Sequence, residues 1–93
     1  RRETLIEVPW MLEEHDALLV TLNSNALTNF LQRNYSKPWL KYLTEHSKNI
    51  EVNKNYNPTT MMYDVIFKFD LDPKKETFYR IKYNHLVYDL HLK

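Results

Sequence analysis

The sequence predicts an α+β domain: three short N-terminal helices followed by a C-terminal antiparallel β-hairpin, or by a three-stranded meander. Three observations carry that expectation. Residues 61–71 alternate almost without fault, with Met61, Tyr63, Val65, Phe67, Phe69 and Leu71 on one face and Met62, Asp64, Ile66, Lys68 and Asp70 on the other. After Asp72-Pro73-Lys74-Lys75-Glu76 the alternation resumes, with Thr77, Tyr79, Ile81 and Tyr83 against Phe78, Arg80 and Lys82. Period two belongs to strands, because successive side chains point to opposite faces. Two such runs around a Pro/Lys/Asp cluster read as a hairpin. Third, the apolar residues of the first fifty positions recur at helical spacing, which supplies a cover for the apolar face of the hairpin.

The helices take their limits from local signals. Pro9 suits a first helical turn, Glu13 and Glu14 suit its positive end, and Met11, His15, Leu18, Leu19 and Leu22 share one face. A buried strand over residues 17–22 is the rival reading of the same stretch. Asn23-Ser24-Asn25 ends the first element and caps a second helix with the stripe Ala26, Leu27, Phe30 and Leu31. Ser36 and Pro38 open a third, whose buried face is Trp39, Leu40, Leu43 and His46, with Tyr42 beside them. Ile50 and Val52 can open a short strand, and residues 53–60 read as a polar loop. Beyond Tyr83 the apolar phase moves to even positions (Leu86, Tyr88, Leu90, Leu92), so Asn84-His85 is a bulge or a turn into a third strand.

Ninety-three residues make a single domain, 1–93, with one modest core. The absence of cysteine removes disulfides, thiolate zinc sites and thiol nucleophiles. The absence of glycine removes the phosphate-cradling loop, the dinucleotide fingerprint and the nucleophile elbow. Left-handed backbone positions then fall to asparagine, at 23, 25, 29, 34, 49, 53, 55, 57 and 84, at some cost. No apolar run reaches the roughly 18 residues of a membrane span, so no membrane partner is expected. The chain opens Arg1-Arg2 without an initiator methionine, which reads as a fragment excised from a larger intracellular, nuclear protein.

Three short helices, the last two joined by Asn34-Tyr35-Ser36, and then a hairpin: over residues 9–83 this order resembles a winged helix-turn-helix. The likeness is to a fold pattern, and it implies that residues 37–48 are the recognition helix and the hairpin is the wing. The link carries no glycine and the strands are long and aromatic, so the same order also fits an unrelated α+β interaction domain.

Charge offers one functional reading. Residues 1–24 carry two basic and five acidic groups, net −3, residues 25–56 five and two, net +3, and residues 57–93 six and five, net +1. Lys37, Lys41 and Lys48 fall near one face of the third helix, with Lys74 and Lys75 at the hairpin tip. Together they form a candidate phosphate-contacting surface for DNA or RNA; the plainer account is a solvated helix face. The aromatic residues Tyr63, Phe67, Phe69, Phe78, Tyr79, Tyr83 and Tyr88 read first as core, and second as a base-stacking sheet.

A different reading starts from the wet face. Ile66 and Phe78 interrupt it among Asp64, Lys68, Asp70, Arg80 and Lys82, and an apolar spot rimmed by charge is a candidate partner-binding patch, formed by Ile66, Phe78 and Arg80. The long strands also offer an edge to a partner chain, to other regions of the parent protein or to a second copy as a homodimer. Histidines 15, 46, 85 and 91 lack paired metal-ligand spacing, and His15 and His46 sit on apolar faces as core residues. Asp64, Asp70 and Asp72 show no general-acid partner. No catalytic residue, metal or cofactor is therefore expected. The combined expectation is a non-catalytic module making protein–protein contacts within a multisubunit nuclear assembly of transcription or replication type. Direct DNA or RNA binding is the alternative.

Overall fold

The computed structural model describes residues 5–83. In chain order they form β1 (Leu5–Leu12), α1 (Glu14–Val20), α2 (Ser24–Gln32), α3 (Pro38–His46), β2 (Asn49–Asn57), β3 (Met62–Asp70) and α4 (Pro73–Lys82). The fold class is α+β, but a strand comes first and helices are interspersed with strands. The expected arrangement of three N-terminal helices followed by a hairpin is thereby overturned.

The strongest alternation in the sequence does form a strand, β3, and it takes the centre of an antiparallel sheet ordered β1-β3-β2. Val65, Phe67 and Phe69 are buried while Asp64 and Ile66 are exposed, as period two requires. Its partners are not residues 77–83. On one side β1 pairs Ile6 with Phe69, Val8 with Phe67 and Trp10 with Val65. On the other β2 pairs Ile50 with Phe69 and Val52 with Phe67. The polar stretch 53–60, expected as a loop, continues β2 and then turns. Asparagine is depleted in strands, which hid the alternation of Ile50, Val52 and Tyr56.

The β2–β3 turn is built without glycine. Thr59 N–H donates to Asn57 Oδ1 at 2.9 Å, and Met61 N–H donates to the Asn57 carbonyl at 2.8 Å. Met61 itself takes the left-handed conformation, φ 59°. A side chain with a Cβ pays for that position in steric strain, of order 1–2 kcal/mol.

Pro9 lies inside β1, not at a helix start. Proline cannot complete a ladder on both sides, so it is confined to edge strands, and β1 is an edge. The first helix therefore begins only at Glu14, and the rival strand over residues 17–22 does not form: Ala17 and Val20 are the buried face of α1. α2 starts where expected, with Asn23 Oδ1 accepting from the Ala26 N–H at 2.8 Å and Leu27, Phe30 and Leu31 buried. α3 carries Pro38 in its first turn and buries Trp39, Leu40 and Leu43; Lys37, not Ser36, holds its N-cap position.

The second arm of the expected hairpin is the helix α4. Asp72 Oδ1 accepts from the Lys75 N–H at 3.0 Å, and Pro73 opens the first turn, where its missing N–H costs little. Residues 77–83 satisfy a helical period as well as a period of two, because Tyr79 and Tyr83 are one turn apart and both face Tyr42. The even-phase stretch 86–92, expected as a bulged continuation or a third strand, lies outside the described residues.

Neighbouring helices pack in sequence, α1 on α2, α2 on α3 and α3 on α4. They share one core with the inward sheet face: Ile6, Val8, Leu12, Val65, Phe67 and Phe69 from the strands, and Val20, Phe30, Leu31, Leu40, Leu43 and Tyr79 from the helices. Trp10 joins the layers edge-on, with ring centroids 5.6 Å from Phe30 and 5.7 Å from Phe67. Such aromatic pairs add specific geometry to the area they bury.

Candidate functional site

Two surfaces separate residues that the sequence had suggested as neighbours. The first is the sheet face turned away from the helices. Strand register sets it out in rows: Glu7, Lys68 and Glu51; Pro9, Ile66 and Asn53; Met11, Asp64 and Asn55. Directly opposed residues on one face lie about 4.5–5.5 Å apart at Cβ, so Lys68 stands between two carboxylates. Ile66 is 37% exposed at the centre of the middle strand, with Pro9 beside it and Met11, 49% exposed, on the diagonal. Apart from Asp70, which is buried, this face keeps its side chains exposed or half-exposed.

The β2 margin is also thinly covered on the inward side. Ile50 and Val52 are half-buried, whereas their β1 counterparts Ile6 and Val8 are buried. Lys54 occupies the inward face of that edge, and its Nζ donates to Thr21 Oγ1 at 3.2 Å while lying 5.9 Å from the Tyr63 ring centroid. An inward-pointing charge on one edge and a proline on the other both oppose strand addition.

The second surface is made by α3 and α4. Tyr42 stands at its centre, with ring centroids 4.5 Å from His46, 5.3 Å from Phe78, 5.6 Å from Tyr83 and 6.5 Å from Tyr79. Its hydroxyl donates to the Lys75 carbonyl at 3.4 Å. Burial, then the nearby Asp72 and Tyr83, pushes the Tyr42 pKa up. Tyr79 lies beneath, fully buried, and its hydroxyl has no hydrogen-bond partner among the described residues. Burial raises its pKa far above the ordinary tyrosine value, against a smaller opposing effect of Arg80. Phe78 is 45% exposed, and Lys82 Nζ sits 5.4 Å from its centroid and 5.5 Å from that of Tyr83.

Lysines converge at one end of this surface. The Asp72 carboxyl is held below the usual carboxylate range first by the Lys75 N–H, with contributions from the Lys75 and Lys48 charges and the Lys74 N–H. The Lys48 N–H also donates to the Asp70 carbonyl at 2.7 Å, which brings Lys48 to the start of α4 beside Lys74 and Lys75, although these two begin a helix and do not tip a hairpin. Lys37 is elsewhere, with Nζ 5.8 Å from the Trp10 ring centroid, and Lys41 is exposed on α3. The proposed patch of Ile66, Phe78 and Arg80 is likewise divided. Ile66 belongs to the open sheet face and Phe78 to α4, while Arg80 Nε donates to Glu76 Oε2. Acidic groups gather instead on α1, with Glu14 and Asp16 in its first turn and Glu13 just before it.

The chain matches no protein family, no curated protein and no solved structure. Chemistry must therefore be read from the surfaces themselves. Among the described residues no group of three His, Cys, Asp or Glu side chains could hold a metal ion. His15 is exposed and His46 half-buried against Tyr42, so neither is the enclosed core histidine that the apolar stripe predicted. His85 lies outside the described residues. Among those described, no helix is long and apolar enough to cross a membrane.

The aromatic face of α3 and α4 is masked in the sequence because residues 77–83 alternate as a strand does, although they form the end of α4. One signal could have found it: Asp72-Pro73 is an N-cap followed by a proline at the first helical position, with Glu76 and Arg80 spaced as a helical ion pair.

Proposed function

We propose that this domain is a non-catalytic interaction module that engages a protein partner, within a larger assembly, through the open face of its sheet. The observation behind the reading is Ile66, an apolar side chain exposed at the middle of the central strand with Pro9 and Met11 next to it. An apolar centre rimmed by charge is the usual anatomy of a protein contact, where the fully buried middle supplies most of the free energy. Here the rim is the Glu7–Lys68–Glu51 row on one side and the Asp64–Asn55 pair on the other. A partner segment with an apolar anchor and charges of both signs fits it. The same alternation that builds the core produces this face, because every second residue of β1 and β3 must point away from the helices.

Photo-crosslinking tests the reading. A benzophenone side chain is placed at position 66, or as a control at Thr28 on the exposed side of α2. Discrete protein adducts are expected from position 66 in cells, lost on Met11→Glu, and not from position 28. Equal labelling from both positions, or none from 66, rejects the sheet face as the contact.

A further inference from the structure

We infer a second binding surface, on α3 and α4, that takes single-stranded nucleic acid, with Lys48, Lys74, Lys75 and Lys82 on phosphates and Phe78 as a stacking platform. The inference does not rest on the sheet-face reading, since the two surfaces lie on different elements.

The spacing on α4 is the first support. Lys74, Phe78 and Lys82 follow one another at four-residue intervals, which places them on one stripe of the helix, about 12 Å from end to end. Lys75 lies beside Lys74, and Lys48, just after α3, is tied near them by its backbone N–H, which donates at 2.7 Å to the carbonyl of Asp70, two residues before the α4 cap. Among the described acidic groups near this stripe, Asp72 lies before the helix, at its N-cap, where it accepts the Lys75 N–H. Glu76 is engaged by Arg80.

Phe78 is the second support. It is too exposed to be needed for the core, yet it is held in place by Tyr42 on one side and Lys82 on the other. An exposed aromatic ring with a lysine one helical turn to either side in the sequence is a stacking platform: bases present a π-face whatever their identity, and the lysines follow the backbone. A duplex keeps its base faces stacked inside and leaves Phe78 unrewarded, and an acidic peptide uses the lysines without the ring. The observations thus favour an unpaired strand over both.

Fluorescence anisotropy with the full 93-residue chain tests this. The probes are a labelled single-stranded oligonucleotide, a duplex of the same sequence and poly-glutamate as competitor, at roughly 50 and 200 mM salt. Four phosphate contacts predict roughly a fifty-fold loss of single-strand affinity between those salts. K74Q/K75Q should halve the salt slope. Phe78→Leu, which keeps an apolar contact with Tyr42 but removes the π-face, should weaken binding several-fold and leave the slope unchanged. Thr28→Glu, on the exposed side of α2, should leave binding as it is. All substituted residues are exposed except Lys75, and circular dichroism checks that each variant keeps its helices. Duplex bound as tightly as single strand, poly-glutamate competing equally, a silent Phe78→Leu, or no binding at all would each overturn the proposal.

Discussion

The Asp72 carboxylate accepts the backbone N–H of Lys75 at 3.0 Å, and with that bond residues 73–82 become a helix instead of the return arm of a hairpin. The cap satisfies one of the N–H groups that a helix start leaves without partners. Because the folded state favours the ionised form, the Asp72 pKa lies below its ordinary value. The sign of the pH dependence follows from that depression. The stabilising contribution is complete above the ordinary carboxylate pKa of about 3.9, and it is lost as pH falls through the lower folded-state value. Asp72→Asn keeps a capping oxygen but removes the titration, so its acid unfolding limb should be shallower than that of the parent chain. An unchanged limb, followed by circular dichroism at 222 nm, would show that Asp72 does not couple to folding.

Tyr79 gives the opposite pH signature. Its buried hydroxyl has no partner among the described residues, and burial raises its pKa. Folding then favours the protonated form. Its stabilisation is complete below the unfolded tyrosine pKa of about 10 and is lost as pH rises towards the folded value. Tyr79→Phe should be at least as stable as the parent at neutral pH, since it removes an unsatisfied polar group and keeps the ring, and it should soften the alkaline limb. Destabilisation by more than about 1 kcal/mol would reveal a hydrogen bond at that hydroxyl.

Adjacent residues of β3 should respond in opposite ways. Phe67 is fully buried between Val8 and Val52, and Phe67→Ala is expected to cost roughly 3–5 kcal/mol in urea denaturation. Ile66→Thr, one residue earlier on the open face, should fall within about 0.5 kcal/mol of the parent. Similar losses at both sites would mean that Ile66 is covered.

Lys54 bears on self-association. It faces inward on the edge strand β2, where a charge opposes pairing with another strand. Lys54→Val should therefore sediment as larger species with rising concentration, relative to the parent chain. Identical sedimentation of the two proteins would leave the edge protected by something other than this charge.

Much of the chain was legible locally. The alternation over 61–71 specifies β3 and its buried set, since one residue of slip would turn Val65, Phe67 and Phe69 to water. Asn23 and Pro38 mark the starts of α2 and α3, because capping chemistry and a proline ring act within one turn of the backbone. The apolar character of Ile66 and Phe78 was equally visible, but not that they belong to different surfaces.

What the sequence by itself determined, then, is which residues want burial and where the sharpest local signals lie. Tertiary structure decided the rest. Pro9 can open a helix or sit in an edge strand, and only pairing with Ile66, far along the chain, settles it as β1. Residues 77–83 fit both a period of two and a helical turn, and the Asp72 cap together with Tyr42 settles them as α4. The choice of β1 and β2 as the neighbours of β3 is non-local, resting on a sheet whose hydrogen bonds and packing form together. Period and propensity constrain single elements, whereas the partner of a strand is set by which arrangement buries all apolar faces at once.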